Sequence, residues 1–365
     1  GKHRALGQPV QVVNVRSKQR IMMPKSAHLL VCCICCVLLA GCLGVEETHT
    51  IPPSLSVGVV VDEAGLNDQS FNASAWAGAK KAEKEIGVKV LSAESREPAD
   101  YVRNLRSLAK QDYGLVFAIG FNMQDAIRQV ASEYPDTKFV IIDGVAPDLK
   151  NTASIQFREN EPSFLAGVLA AGMSKHNTIG FVGGQHGPVL DRFEYAYKAG
   201  ALLQRPGIKV LTQYAETWSD PGKGKELALL QYGQKADVIL QAAGKTGMGV
   251  IDAVRTQPQG RYVIGTDSNQ DGLEQGKVLT SILKRLDVVV FDTIRQVRDG
   301  HFTPGVHSLG LKEQAMSLTE MDYTRQDVPP DVLSAVGRYA EEIKTGMLQV
   351  PATPDEYAEF LKARL

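Results

Sequence analysis

The chain has 365 residues, 44% of them hydrophobic and 22% charged, with a formal net charge of −1. This is ordinary globular composition, which excludes a disordered chain, and the length suffices for a large core divided into two lobes. Near-neutral charge argues against nucleic acid as a partner, because binding phosphates needs a basic surplus.

In chain order, residues 1–21 precede Met22 and Met23 and read as an upstream extension. The five cysteines come next, at Cys32, Cys33, Cys35, Cys36 and Cys42, with none after position 42. Four of them sit in the apolar run 29–40, which has no His, Asp or Glu among them. That spacing is too tight for paired zinc ligands, so they read as small hydrophobes. Lys18, Arg20 and Lys25 precede the run, which is too short for a comfortable membrane span, and it reads as a secretion signal. It ends in Leu39-Ala40-Gly41-Cys42, which resembles the lipobox of bacterial lipoproteins. The resemblance implies removal of residues 1–41 and lipidation of Cys42, which would join the protein to a lipid bilayer. Residues 42–54 are polar, contain proline and read as a tether.

From Leu55 short runs rich in Val and Ile alternate with amphipathic stretches. The runs are 56–61, 88–91, 115–119, 138–142, 153–156, 178–182, 208–212, 238–241 and 262–265. Strands this apolar belong in parallel sheets covered on both faces. The intervening segments, beginning with 71–86, carry helical spacing; there Ala75, Ala79, Ala82 and Ile86 share one face. Repeated β–α alternation predicts an α/β fold of two doubly wound lobes with a ligand cleft at the carboxyl ends of both sheets. Residues 55–155, joined by roughly 278–310, are expected to form lobe 1, and 156–277 lobe 2. Residues 311–365 are expected to be a C-terminal return with two helices, over 331–344 and 355–362.

The loop after the first run reads Asp62-Glu63-Ala64-Gly65-Leu66-Asn67-Asp68-Gln69-Ser70-Phe71-Asn72. Capping of the next helix by Asp68 or Ser70 is the plain reading, but it leaves Asp62, Asn67, Phe71 and Asn72 unexplained. This loop, with Trp76-Ala77-Gly78 after it, resembles the basic membrane protein family of lipoproteins, the purine-nucleoside receptors of ABC transport systems. The resemblance continues through Phe117-Ala118-Ile119-Gly120-Phe121, Ile141-Ile142-Asp143-Gly144, Glu161-Pro162-Ser163-Phe164, Ile264-Gly265-Thr266-Asp267 and Thr280-Ser281-Ile282-Leu283-Lys284. It covers most of residues 56–310, in order.

The resemblance implies a type I periplasmic-binding fold, a nucleoside stacked between aromatic rings, and carboxylates on the ribose hydroxyls. Asp62, Asn67 and Asp68 match the family's first polar loop, and Phe71 one stacking ring; Asn72, in the same loop, is expected to bind ligand with them. Asp143 matches the acid closing the fourth strand, Phe193 the ring from the other lobe, and Gly244 the glycine-rich strand end. Asp267 and Lys284 match polar residues near the hinge and ribose. The alternatives are turn-forming roles for Asp143 and Asp267, a core position for Phe193 and a solvated Lys284. Implied partners are a purine nucleoside (adenosine, guanosine or inosine) and an ABC permease of the cytoplasmic membrane, with no cofactor. The anchor would face the periplasm or the cell exterior.

An enzyme has little support. The chain has no G-x-S-x-G elbow, no H-E-x-x-H, and no metal spacing among its seven histidines. The loop 241–247 lacks the first glycine of a phosphate loop, because Ile239 stands five before Gly244. A surface adhesin, a sugar or signal-molecule receptor and a nucleoside hydrolase remain as competing readings.

Overall fold

The structure, a computed structural model, describes residues 54–364. The signal segment, Cys42 and most of the tether lie outside the described residues. Lobe 1 opens with β1 (Ser56–Val61), α1 (Phe71–Ile86), β2 (Lys89–Glu94), α2 (Asp100–Lys110) and β3 (Leu115–Ile119). It continues with α3 (Gln124–Ala131), β4 (Lys138–Ile142) and β5 (Thr152–Phe157). Lobe 2 follows as α4 (Asn160–Met173), β6 (Thr178–Gly183), α5 (Pro188–Gln204), β7 (Lys209–Tyr214) and α6 (Pro221–Gly233). Next come β8 (Val238–Ala242), α7 (Thr246–Arg255), β9 (Tyr262–Asp267) and β10 (Val278–Lys284). The chain then returns through α8 (Leu286–Arg298) and β11 (Gly305–Leu309) to lobe 1, and through β12 (Met316–Leu318) to lobe 2. It ends in α9 (Pro330–Lys344) and α10 (Pro354–Lys362).

The two sheets run β11-β5-β4-β3-β1-β2 and β12-β10-β9-β8-β6-β7. All pairings are parallel except β10 with β12. The residue pattern explains the double covering. Val59, Val61, Phe117, Ile119 and Val140 point to one face, against Ala75, Ala79 and Ala82 of α1 and Val290 and Ile294 of α8. Their neighbours Val60, Val116, Ala118 and Phe139 point to the other, against Leu105 and Leu108 of α2 and Ile127 of α3. Val57, Val59, Val60 and Val61 are each fully buried, a contribution of about 1.5–3 kcal/mol apiece. In lobe 2, α4 is apolar on every side because it lies between the sheet and α9, where Phe164 meets the Tyr339 ring edge-on at 5.5 Å.

The nine apolar runs are all strands. The return to lobe 1 begins later than expected from sequence. Val278–Lys284 pairs with β9 in the second sheet, so only α8 and β11 rejoin lobe 1. Three segments therefore cross between lobes, at 157–160, 284–286 and 309–316. Among the described residues, no helix is long and apolar enough to cross a membrane.

Candidate functional site

Between the two sheets lies a cavity of about 580 Å³, counting the space open to solvent. Its walls are strand ends: Asp62 after β1, Gly120 after β3, Asp143 after β4, Gly244 after β8, Asp267 closing β9 and Lys284 closing β10. Phe71 enters from the start of α1 and Val189, Leu190 and Phe193 from the start of α5. Two closing carboxylates sit on left-handed backbone, Asp143 at φ 67° and Asp267 at φ 68°. Aspartate tolerates that region better than most residues, and strained strand ends recur at ligand sites. At both acids the backbone turns, and both side chains line the cleft.

Lys284 is not solvated. It is 1% exposed, and its Nζ donates to Asp143 Oδ2 and, at 2.7 Å, to Glu159 Oε1. It also lies 5.0 Å from the Phe71 ring centroid. Glu159 accepts in turn from Arg192 of α5. Burial opposes the lysine's charge, but the carboxylates of Asp143, Glu159 and Asp267 together hold it above its ordinary range. Burial raises the Asp143 carboxyl to about 6 against the pull of Lys284, and raises Asp267 likewise to about 6. Asp62 is pushed up to about 7 by burial, which outweighs its hydrogen bond from Asn72.

The polar loop divides its labour. Asp68 lines the cleft, but its oxygens accept from the backbone N–H groups of Ser70, Asn72 and Ala73 at 2.9–3.0 Å, so it caps α1. Asn72 is buried behind the wall, where its Nδ2 donates to Asp62 Oδ1 at 2.7 Å. Asn67 is exposed and outside the cavity lining. Of the residues expected from sequence, the structure thus brings Asp62, Asp68, Phe71, Asp143, Phe193, Gly244, Asp267 and Lys284 together, and leaves Asn67 and Asn72 off the wall. Phe193 is 4% exposed and packed in the core, and it also lines the cavity.

Phe121, Asn122, Trp218 and Thr266 also line the cavity, and sequence reasoning passed over them. Phe121 and Trp218 come from opposite lobes and meet edge-on at 6.2 Å. Beside them Asn122 Nδ2 donates to Gln185 Oε1 at 2.9 Å. Across the other rim Ser70 Oγ donates to Asp267 Oδ2 at 2.6 Å. These contacts hold the lobes closed. Asp143 Oδ1, Thr266 Oγ1 and Trp218 Nε1 are buried in the cleft wall without a hydrogen-bond partner in the protein. Among the described residues, no cluster of His, Cys, Asp and Glu has metal-binding geometry.

Two doubly wound lobes, three crossings and a cleft at the strand ends are the architecture of periplasmic-binding-like proteins. A family profile described as ABC transporter substrate-binding protein PnrA-like matches residues 55–351, and the chain belongs to this Bmp family. It is 36% identical to the ABC transporter nucleoside-binding protein BmpA of Lactococcus lactis subsp. cremoris, over 86% of this chain and 95% of that one. It is 31% identical to basic membrane protein D of Borreliella burgdorferi, over 84% and 90% respectively. Among solved structures, an ABC transporter solute-binding protein of Aeropyrum pernix K1 superposes with a TM-score of 0.77 at 27% identity, covering 84% of this chain and 96% of that one. The chain is accordingly an ABC transporter substrate-binding protein, and proteins of this class are membrane-anchored and face outward.

Proposed function

We propose that the cleft binds a purine nucleoside, which the protein delivers to an ABC permease of the cytoplasmic membrane. The observation that carries this reading is the chemistry of the cavity lining. It combines the rings Phe71, Phe193, Phe121 and Trp218 with the buried acids Asp143 and Asp267 around Lys284. A purine is a flat ring whose stacking contributes roughly 1–3 kcal/mol per base. A ribose diol presents two donors to carboxylates. A nucleotide is disfavoured, because among the described residues that line the cavity Lys284 is the only cation, and it is already committed to Asp143 and Glu159. The nucleoside-binding name of the Lactococcus lactis relative supports the same reading.

The lipid on Cys42 belongs to this proposal as the anchor that keeps the receptor beside its permease. No step of the reading requires bond breaking, so the cleft acts by binding and release, without cofactor. The test is mass spectrometry of the small molecule released when the purified protein is denatured. A purine nucleoside is expected; a sugar, or a free base with no nucleoside, would overturn the assignment.

A further inference from the structure

One aromatic residue of the cavity wall carries a buried polar atom that the nucleoside reading leaves unused. Trp218 lies on the loop after β7, and its ring is held from behind by two glycines. A Cβ added at Gly184 would overlap the six-membered ring at Cζ3 and Cε3, and one at Gly244 would lie 3.6 Å from Cε3. Gly244 has φ 56°, so that position favours glycine for its backbone as well. The loop itself is pinned. Thr246 N donates to Trp218 O at 3.0 Å, Thr246 Oγ1 donates to Thr217 O at 3.0 Å, and Asp220 N donates to Thr246 Oγ1 at 2.9 Å. The indole is thus fixed in position, with its Cε3–Cζ3 edge against the glycines and its Nε1 on the opposite edge.

That Nε1 is buried, and no acceptor in the protein reaches it. A buried donor without a partner costs about 1–3 kcal/mol, so native structures rarely keep one without a use. The rim amides Gln185 and Asn122 bond each other. The closing contacts also bring lobe 1 to this indole. Phe121 meets the Trp218 ring edge-on, and a Cβ on Gly187 would lie 3.1 Å from the Phe121 ring, so the phenyl ring rests on bare backbone of the lobe 2 loop. In the closed form Trp218 is therefore a rigid wall of the cavity with one donor to spare.

We propose that Trp218 is a specificity-determining residue whose indole N–H donates to an acceptor on the edge of the bound base. The assignment rests on the nucleoside reading and deepens it. Purines carry the matching acceptors: N7 in both adenine and guanine, and O6 in guanine. A site that hydrogen-bonds a ligand group rejects analogues lacking it far better than an apolar wall does, because the donor is then left unpaired. Trp218 thereby gives the cavity a preference that stacking alone, indifferent to edge chemistry, does not supply.

The test is a set of titrations on the wild-type chain and on Trp218→Phe, which keeps an aromatic wall and deletes the N–H. The ligands are guanosine, 7-deazaguanosine, which lacks N7, and 2-aminopurine riboside, which lacks O6. Guanosine affinity is expected to fall ~10-fold in the variant, or about 1.4 kcal/mol. For at least one analogue the ratio of wild-type to variant affinity is expected to shrink below ~3-fold, because the lost donor had nothing to meet there. A ratio that stays near 10-fold for both analogues would make Trp218 a packing wall only, and an unchanged guanosine affinity would remove it from recognition altogether.

Nuclear magnetic resonance of the wild-type chain labelled with 15N-tryptophan adds a check that needs no variant. The chain has two tryptophans, and saturating guanosine is expected to slow solvent exchange at the Trp218 indole and shift its resonance downfield. An indole signal unmoved by bound guanosine contradicts the proposal. Should the wild-type chain bind none of adenosine, guanosine and inosine, the nucleoside reading and this assignment fall together. Binding with a null result at Trp218 sinks this assignment alone.

Discussion

At the scale of single residues, the cleft concentrates carboxyl groups that the fold holds in a state unlike the one they have in water. Asp62 is the extreme case, raised from 3.8 to about 7. A carboxyl raised on folding contributes stability that is complete below its unfolded value, near pH 4, and that is lost as pH rises through its folded value, near 7. Above that range the ionised form costs the fold at most about 4 kcal/mol. Asp62→Asn keeps an acceptor for Asn72 Nδ2 and removes the charge. It is expected to raise the unfolding free energy at pH 8 and to leave it nearly unchanged at pH 4, while weakening the ligand. Urea titrations at the two pH values measure this, and a gain of equal size at both would show that burial of the charge is not the cause.

Asp267 carries a second residue-scale prediction. Its Oδ2 accepts from Ser70 across the cleft, so Asp267→Ala would disturb closure as well as recognition. Asp267→Asn keeps an acceptor for Ser70 and loses the charge-assisted bonds proposed for the ribose. Nucleoside affinity is expected to fall ~10-fold or more, and free-base affinity by less than ~3-fold. Calorimetric titration of inosine and hypoxanthine decides it; an equal loss on both ligands would leave Asp267 as a closure residue.

At the scale of elements, the helices of lobe 2 approach closely enough to require glycine. A Cβ on Gly167 of α4 would overlap the Tyr197 carbonyl of α5, and one on Gly200 of α5 would overlap the Phe164 carbonyl of α4. The obstacles are backbone atoms on both sides, so neither helix can yield by changing a rotamer. Gly200→Ala, although a better helix former, is expected to destabilise the protein by about 1–3 kcal/mol through overpacking. Ligand affinity should change little, since Gly200 is remote from the cavity lining. Chemical denaturation measures this, and a stabilised variant would mean that the two helices separate at little cost.

Elements also show where the sequence was readable. Buried strands such as β1 and β3 stand out as continuous apolar runs, and α1 as a spaced alanine face, because burial on both sides leaves no polar interruption. The three-residue β12 and the exposed edge strand β11 lack that signature, and β10 was placed in the wrong lobe because parallel strands carry no mark of which sheet they join. Of the site, the polar loop with Asp62 and Asp68 was legible as the ending of the first strand, and Phe71, Asp143, Phe193, Gly244, Asp267 and Lys284 through family resemblance. Phe121 and Trp218 were not legible, since they sit in loops of different lobes with no periodicity and become neighbours only across the closed cleft. Asn67 and Asn72 were read too generously, because a helix cap and its supports have the same composition as a ligand loop.

For the whole molecule, the three crossings and the ion-pair chain Asp143–Lys284–Glu159–Arg192 tie the two lobes together on one side of the cleft. A ligand favours the closed form only through a higher affinity for it, and contacts from both lobes to one molecule supply that difference. The central claim is that this closed cleft is built for an uncharged purine nucleoside. It is tested most directly by isothermal titration of adenosine, guanosine and inosine, each beside its 5′-monophosphate, into protein stripped of bound small molecules. At least one nucleoside is expected to bind with its monophosphate at least ~10-fold weaker, a difference of about 1.4 kcal/mol or more. Equal affinity for nucleoside and monophosphate, or no binding by any of the three nucleosides, would contradict it.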